Sequence, residues 1–380
     1  MNQHWNVNED YLKIEEMPYY WRLSNSGDAV PGISPRLPIK VVTDPRFDYL
    51  RYDVEDREWD VIEASYKKNE NIGHLNEGSG QLQTYGSSVN RFFLESVAQF
   101  SPRNIYEIGC GAGYSIKYLK DNGWSVVGVD PSEYSLRWSR ELGFALLNDF
   151  FREGLLGAPA DFIYCNDVFE HVRNVDEFSA HVYESLAKGG VFCFATTNST
   201  NSISVGDISM LEHQHVNMFT ERSIYQILRS VGFSNIDVKS GAYGNTFHVV
   251  AQKGSALNVV ESASEVSCEG FFDRAKEKLS AFEVFYGRTE NLHCYVPLRC
   301  MSYLASVGDF GNSPIYDSNI AWRGKYFDGY SQSILAPDDI AYDPEATFFI
   351  GSLTFHDEIR QTLIAKGFLD NAIYSINDLS

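Results

Sequence analysis

An acid and three glycines at alternate positions form the most chemically informative spacing in the chain. They are Glu107, Gly109, Gly111 and Gly113. The apolar run 105–108 predicts a buried parallel strand, and glycines after it permit a tight turn and close approach of the backbone to a ligand. We predict a helix over 114–122, then a strand over 125–129 that ends at Asp130. Strand, glycine loop, helix, strand and acid is the order of a nucleotide-binding βαβ unit, whose terminal carboxylate accepts hydrogen bonds from ribose hydroxyls.

The loop differs from a dinucleotide-binding loop in its spacing and in its acid. The final glycine of G-x-G-x-x-G is missing, because Ile116 stands at that position. A carboxylate at Glu107 is poorly suited to a pyrophosphate, but it suits a ligand with a cationic end, such as the amino acid moiety of S-adenosylmethionine. A dinucleotide-binding unit, or a plain βαβ unit without a ligand, is the alternative interpretation.

The stretch 104–130 resembles motif I of the class I S-adenosylmethionine-dependent methyltransferases, and the run Asp130-Pro131-Ser132 resembles their ribose-binding motif II. The resemblance covers about 100–253. It implies S-adenosylmethionine as the cofactor and a Rossmann-like α/β fold with a mostly parallel seven-stranded sheet.

Further cofactor contacts follow from the same resemblance. Asp149 is expected to accept a hydrogen bond from the adenine amino group, and Phe150 to cover the ring; a simple turn is the alternative there. The run 167–172, DVFEHV, resembles motif IV in its variant with a Glu-His pair. We therefore expect Asn166 and Asp167 near the methionine portion, and His171 as a residue that shapes the substrate pocket or acts as a base.

Two histidines after the fifth predicted strand are the candidate bases. His213 and His215 stand where bacterial C-methyltransferases carry a similar segment before an aromatic residue and a Ser or Thr. In that family a histidine removes a proton from carbon next to a ketone, so His215 is the first candidate and His213 the second, with Glu212 beside them. C-methylation of a sugar with a histidine base is therefore the expected reaction. Gln214 replaces the acid of that segment, which leaves O-methylation of a hydroxyl as the alternative. A metal site at these histidines and histidines without any role are the remaining alternatives.

The tail resembles the C-terminal domain of bacterial C-methyltransferases that act on nucleotide-linked deoxysugars. The matching runs are 317–319, 323–325, 336–339 and 352–359. The resemblance implies a second, smaller Rossmann-like domain and a nucleotide-linked or polysaccharide-precursor sugar as the acceptor. Two features depart from that family: no N-terminal domain with CxxC pairs is present, and the first turn of the tail, 297–300, lacks glycine.

We divide the chain into four parts on these grounds. An aromatic-rich, irregular segment, 1–100, is expected to cap the cofactor, with Tyr85 as a contact. The methyltransferase domain covers 101–254, a linker and bridging helix 255–290, and the C-terminal Rossmann-like domain 291–380. Tyr243 and Asn245, on the turn before the last strand of the sheet, are candidate substrate contacts.

Composition narrows the classes of partner. A net charge of −20 argues against nucleic acid and against an anionic membrane surface. The six cysteines include no CxxC pair, which predicts no structural zinc and no bound metal, in a reducing, cytoplasmic setting. We expect a monomer or homodimer. A protein that binds S-adenosylmethionine for a structural or regulatory purpose is the non-enzyme alternative, and the acids Glu107, Asp130 and Asp167 favour the enzyme.

Overall fold

The computed structural model describes residues 4–19, 23–25, 34–68, 81–242, 244–254 and 265–379. Three five- to seven-stranded sheets organise these residues, and a two-stranded ribbon joins Leu23–Ser24 (β3) to Tyr326–Phe327 (β16). Among the helices that the structure describes, none combines the length and the apolar content that a bilayer crossing requires.

The N-terminal region forms an antiparallel sheet, although we expected it to be irregular. Its strands, in spatial order, are β1 (Trp5–Val7), β2 (Tyr11–Pro18), β4 (Arg36–Asp44), β5 (Tyr49–Tyr52) and β11 (Asn217–Met218). A register shift between Ile14 and Met17 breaks the alternation of buried and exposed side chains in β2, so the period-2 signal of a strand is interrupted. Two helices follow this sheet along the chain, α1 (Asp56–Lys68) and α2 (Gln81–Phe100). The residue pattern predicts a helix over 56–68, which is confirmed, and a second helix over 89–100. The second helix is present but begins eight residues earlier, at Gln81.

The central sheet has seven strands, and only its β13 runs antiparallel to its neighbours. In spatial order the strands are β12 (Phe233–Ser240), β13 (Thr246–Lys253), β10 (Leu186–Thr197), β9 (Ala160–Asn166), β6 (Ile105–Ile108), β7 (Val126–Val129) and β8 (Ala145–Leu147). The helices of this region are α3 (Tyr114–Asp121), α4 (Glu133–Leu142), α5 (Val175–Ser185), α6 (Thr200–Val205) and α7 (Glu221–Ser230). The predicted Rossmann-like α/β sheet is present.

Both faces of this sheet are buried, which explains the continuous apolar runs of its central strands. In β9, Phe162 and Tyr164 pack on the side of α2, whereas Ile163 and Cys165 pack on the side of α5 and α7. Successive side chains of a strand point to opposite faces, so one run of apolar residues supplies two cores.

The C-terminal region holds a third sheet, whose five strands are all parallel. They are, in spatial order, β17 (Ile334–Leu335), β15 (Ile315–Tyr316), β14 (Leu292–Tyr295), β18 (Thr347–Ile350) and β19 (Ile373–Ser375). The helices are α8 (Phe271–Arg288), α9 (Pro297–Ser306) and α10 (His356–Ala365). One hydrophobic core includes Trp5 and Ile39 of the N-terminal sheet together with Phe282 of α8 and Phe349 of this sheet. The N-terminal sheet and the C-terminal region share this core. The division of the chain into four parts stays a prediction.

The two-residue strand β11 connects the central region to the N-terminal sheet. Asn217 pairs with Arg51, and Met218 pairs with Leu50. The Asn217 side chain also donates a hydrogen bond to the Val172 carbonyl, with 2.7 Å between Nδ2 and O. The loop that carries the candidate histidines is therefore fixed at its end by both regions.

Candidate functional site

A cavity of about 380 Å³ lies at the carboxyl ends of the parallel strands of the central sheet. Open α/β sheets bind ligands at this edge, and the volume falls in the range of small-molecule sites. Its lining includes most of the predicted cofactor residues and the predicted substrate-pocket residue His171. The cofactor residues are Glu107, Gly109, Gly111, Asp130, Pro131, Asp149, Phe150, Asn166 and Asp167. Together with His171, these residues are spread over 65 positions of the sequence, 107 to 171 counted inclusively, and the fold brings them to one wall.

The glycine loop needs its glycines for two different reasons. Gly109 and Gly113 have φ near +70°, and an added Cβ would lie 2.4 Å from Val168 Cγ2 and 2.3 Å from Phe144 Cε1, respectively. Gly111 has φ +49°, but a Cβ there would meet no described atom within 4 Å. Two glycines therefore allow close packing of the loop, and the third leaves open space beside it. Gly113 itself caps α3 and is not among the cavity-lining residues.

Glu107 is a buried acid at the end of β6. Its side chain accepts a hydrogen bond from the Tyr164 hydroxyl at 3.0 Å. Burial, with a smaller contribution from the nearby Asp130, raises the pKa of Glu107 to about 8. The carboxyl is thus largely protonated at neutral pH, and a cationic group beside it would favour its ionised form.

Asp130 shapes the turn at the end of β7. One carboxylate oxygen accepts from the backbone N–H of Gly111 at 3.0 Å. The other accepts from the backbone N–H and the hydroxyl of Ser132, at 2.9 and 2.6 Å. The carboxylate is therefore held rigidly at the cavity wall, in the position from which acids of such βαβ units accept ribose hydroxyls.

Asp149 and Phe150 follow β8 and also line the cavity. Asp149 accepts a hydrogen bond from the Phe150 backbone N–H at 2.8 Å and forms an ion pair with Arg152 at 2.6 Å. The Phe150 ring is half-buried, and the Lys67 ammonium group lies 5.4 Å from its centroid.

Asn166 and Asp167 end β9 at the centre of the cavity wall. The Asn166 amide nitrogen donates to Asp167 at 3.0 Å, while its Oδ1 atom is buried and has no hydrogen-bond partner within the described part of the chain. Asp167 has a positive φ of 50°, and burial, followed by the charge of Glu170, raises its pKa to about 7. An unpaired buried acceptor is costly, so Asn166 is placed to receive a donor from a ligand.

His171 lines the cavity from the short 3₁₀ turn Phe169–His171. Its Nδ1 atom lies 2.9 Å from the Gln214 carbonyl and 3.0 Å from the Tyr66 hydroxyl. The carbonyl can only accept, so it favours the tautomer in which Nδ1 carries the proton and Nε2 has a free lone pair. Burial and the charge of His215 lower the pKa of His171, which keeps the ring neutral.

His215 lies directly behind His171, with 4.8 Å between the ring centroids. Its Nε2 atom is 2.9 Å from a Glu212 carboxylate oxygen. Burial alone would lower the pKa of His215, but Glu212 raises it above its ordinary value. Burial would likewise raise the pKa of Glu212, yet His215 and Arg299 lower it to about 2. The two residues form an ion pair next to the cavity, rather than a free base within it.

His213 points away from this group. Its side chain is fully buried, its Nε2 atom is 3.1 Å from the Leu37 carbonyl, and its ring packs between Tyr19 and Tyr52. Burial lowers its pKa to about 4. These contacts belong to the N-terminal sheet and argue against the role of second base that we predicted for His213.

One predicted contact lies away from the cavity, and two fall outside the described residues. Tyr243 and the side chain of Tyr85 are outside the part of the chain that the structure describes. Asn245 forms a backbone hydrogen bond with Asn198 and does not line the cavity. Trp59 and Tyr66 of α1 do line the cavity, although we did not predict them as site residues. The signal that could have found them is the spacing of Trp59, Ile62 and Tyr66, which places them on one face of helix 56–68. Glu170 was missed as well, although the Glu-His pair contained it.

The residues present fit S-adenosylmethionine. Glu107 gains from an ammonium group, Asp130 can accept from ribose, and the unpaired Asn166 oxygen needs a donor. The empty space at Gly111 lets a ligand pass close to the backbone.

Comparisons with known proteins agree with this fit. A family model described as "Methyltransferase domain" matches residues 80–238. The ubiquinone biosynthesis O-methyltransferase of Rickettsia canadensis (strain McKiel) is 22% identical over 159 residues, which cover 38% of this chain and 67% of the relative. That of Caulobacter sp. (strain K31) is 30% identical over 111 residues, which cover 27% of this chain and 43% of the relative. The matches thus span about two fifths to two thirds of the relatives' own length.

Among solved structures, the plantazolicin methyltransferase BpumL in complex with SAH has 16% identity and a TM-score of 0.39, over 53% of this chain and 92% of that chain. This TM-score is too low to support a conclusion about fold or function. The family match over residues 80–238, the glycine loop and the seven-stranded sheet, which continues to Lys253, together support a class I S-adenosylmethionine-dependent methyltransferase domain in this part of the chain.

Proposed function

We propose that this protein transfers a methyl group from S-adenosylmethionine to a small-molecule acceptor, and that the acceptor is a nucleotide-linked or polysaccharide-precursor sugar. One observation carries the catalytic part of the proposal. A single cavity is lined both by the residues that fit the cofactor and by His171, whose neighbour is the Glu212–His215 pair.

S-adenosylmethionine, when bound, supplies an electrophilic methyl group on its sulfonium. The chain must then orient the acceptor and accept its proton. His171 presents a neutral ring at the cavity wall, and His215 lies behind it in contact with Glu212. We assign these residues to the acceptor side. Glu107, Asp130, Asp149 and Asn166 are assigned to the cofactor side, with Tyr66 and Trp59 of α1 covering the entrance.

Oxygen is the better-supported acceptor atom. Two relatives are named ubiquinone biosynthesis O-methyltransferase, and a hydroxyl proton is far more acidic than a proton on carbon. The Glu212–His215 ion pair raises the pKa of His215 and favours its charged form, so the ring can accept a proton from either kind of acceptor only after it has lost its own. Methylation of carbon next to a ketone is the second candidate, and the resemblance of the tail to deoxysugar C-methyltransferases supports it.

The C-terminal region acts on this group through the charge of Arg299. Arg299, in α9, donates to the Ser209 carbonyl at 3.5 Å, and its charge acts on both Glu212 and His215. We propose that this region forms the wall that recognises the sugar nucleotide, and that the N-terminal sheet with α1 and α2 forms the cap.

The test is release of S-adenosylhomocysteine during incubation with S-adenosylmethionine and a panel of nucleotide sugars with free hydroxyls or a ketone. Turnover with a hydroxyl sugar, with the methyl group found on oxygen by mass spectrometry, supports the main proposal. Methylated carbon, with exchange of the adjacent proton in deuterated water, supports the second candidate. A protein that binds S-adenosylhomocysteine and methylates no member of the panel refutes the sugar assignment.

A further inference from the structure

We propose that Glu170, His171 and His215 hold a divalent transition-metal ion at the acceptor end of the cavity. The three residues offer one ligand atom each, and these atoms lie within 4.8 Å of one another. Glu170 is fully buried, and the two histidines are partly buried. A distance of this order lets one ion contact all three atoms after small side-chain adjustments, since metal–nitrogen and metal–oxygen bonds are about 2.0–2.2 Å long.

Each candidate ligand has its other polar atom occupied. Glu170 Oε2 accepts a hydrogen bond from the Thr196 hydroxyl at 2.9 Å, and its Oε1 atom is buried without a partner among the residues described. A buried carboxylate oxygen without a donor is unfavourable by itself. It needs either a proton or a cation, and no described Lys or Arg forms an ion pair with it.

In each of the two histidines, likewise, one ring nitrogen is hydrogen-bonded and the other is left for a metal ion. His171 uses Nδ1 for the Gln214 carbonyl and the Tyr66 hydroxyl, and His215 uses Nε2 for Glu212. Nε2 of His171 then has a free lone pair, and Nδ1 of His215 offers one when a metal ion displaces its proton and Nε2–H is kept for Glu212. Metal-binding histidines typically donate their second ring N–H to a carbonyl or a carboxylate, which fixes the ring and the tautomer. Both kinds of partner are present here.

The metal-ligand group cannot be recognised from the sequence, because Glu170 and His171 are far from His215 along the chain. Glu170 and His171 lie on the 3₁₀ turn after β9, and His215 lies 44 positions after His171 (215 − 171), two residues before β11. Pairing of β11 with the N-terminal sheet brings His215 to the turn. The alternative metal site considered from sequence, Glu212 with His213 and His215, is not formed, because His213 points into the N-terminal sheet. The proposal also departs from our expectation of no bound metal.

Two imidazoles and one carboxylate favour Zn²⁺, Mn²⁺, Fe²⁺ or Co²⁺ over Ca²⁺ and Mg²⁺, which prefer oxygen ligands. Three protein ligands leave positions open for the acceptor. This consequence rests on the proposed methyl transfer: a hydroxyl bound to the ion loses its proton to solvent more readily. The oxygen then forms a bond to the methyl carbon as the carbon–sulfur bond breaks, and the electron pair of that bond stays on sulfur.

Co²⁺ is the probe for the test, because its bound form absorbs visible light. The full-length protein is treated with a chelator, dialysed and titrated with CoCl₂, by absorbance and by calorimetry. We expect one Co²⁺ per chain, and at least a tenfold loss of affinity in Glu170→Gln and in His215→Ala. His181→Ala, on α5, is the matched control and should bind Co²⁺ like the wild type. No Co²⁺ binding by the wild type, or equal affinity in all variants, would overturn the proposal.

Binding of S-adenosylhomocysteine by the same variants separates this proposal from the function. If the Glu170 and His215 variants retain that binding and lose Co²⁺, they are folded and the metal proposal is supported. S-adenosylhomocysteine binding by a wild type that takes no Co²⁺ overturns the metal site alone. Co²⁺ binding by a wild type that takes no S-adenosylhomocysteine supports the metal site and overturns the proposed function.

Discussion

Binding of the cofactor product should depend on pH through Glu107. The pKa of its buried carboxyl is about 8, so only about one molecule in ten has it ionised at pH 7. A ligand ammonium requires the ionised form, and ionising Glu107 at pH 7 costs about 1.4 kcal/mol. The association constant should therefore rise about tenfold from pH 6 to pH 7 and level off above pH 8.

The direction of this pH dependence follows from the raised pKa of Glu107. The folded-state pKa is raised, so the stability that protonated Glu107 contributes to the free protein is present below pH 4.5 and is lost as the pH rises through about 8. Ligand binding instead requires that this proton leaves. Calorimetry at pH 7 in two buffers of different ionisation enthalpy should detect release of nearly one proton for each S-adenosylhomocysteine bound.

Two variants test the assignment. Glu107→Gln keeps the size of the side chain and cannot ionise, so its affinity should be independent of pH between 6 and 8 and fall below that of the wild type at pH 8. Tyr164→Phe removes a hydrogen bond that favours the ionised carboxylate, so the association constant should rise at a higher pH than in the wild type. A wild type whose affinity is the same at pH 6 and 8, or a Glu107→Gln variant with the wild-type slope, would refute the reasoning.

Four further substitutions test the cavity wall and the N-terminal sheet. Asp130→Ala should weaken S-adenosylhomocysteine binding at least tenfold by calorimetry, because each lost charge-assisted hydrogen bond is worth about 1.5–3 kcal/mol; unchanged affinity would contradict its role. Gly109→Ala should lower the free energy of unfolding by about 1–3 kcal/mol in urea denaturation, because its Cβ would lie 2.4 Å from a valine side chain. Gly111→Ala should be less destabilising and still weaken binding; equal stability losses would show that the clash is unimportant. His213→Leu leaves the Leu37 carbonyl without its partner and should lower the free energy of unfolding by about 1–3 kcal/mol, with cofactor binding unchanged; weaker cofactor binding would place His213 in the site after all.

The central sheet could be predicted because its signals are local. The residue pattern predicts helices over 133–142 and 221–230 and strands over 105–108 and 233–240, and the structure has these bounds. Each has a cap or a turn residue next to an apolar run, such as Ser132 before α4 and the Thr220 capping box before α7. Such signals need only a few neighbouring residues.

The N-terminal sheet and the histidine group could not be predicted, because long-range pairing decides them. Val42 pairs with both Tyr11 and Arg51, and no pattern within one strand specifies such partners. His213 and His215 are two positions apart and look equivalent in sequence. In the structure one ring packs in the N-terminal sheet and the other lies beside His171, because the backbone between them leads into β11.

The pairing of β11 with β5 has a consequence for synthesis of the chain. When Tyr52 has left the ribosome, the next strand of its sheet is still 165 residues away (217 − 52). At about 5–20 residues per second, the ribosome needs roughly 10–30 s to reach it. During that interval the edge of β5 offers unpaired backbone groups, a template for wrong partners. A nascent chain stalled before residue 217 would thus expose an unpaired strand edge that is prone to aggregate. A chaperone that binds unpaired strands would act on this protein in that interval.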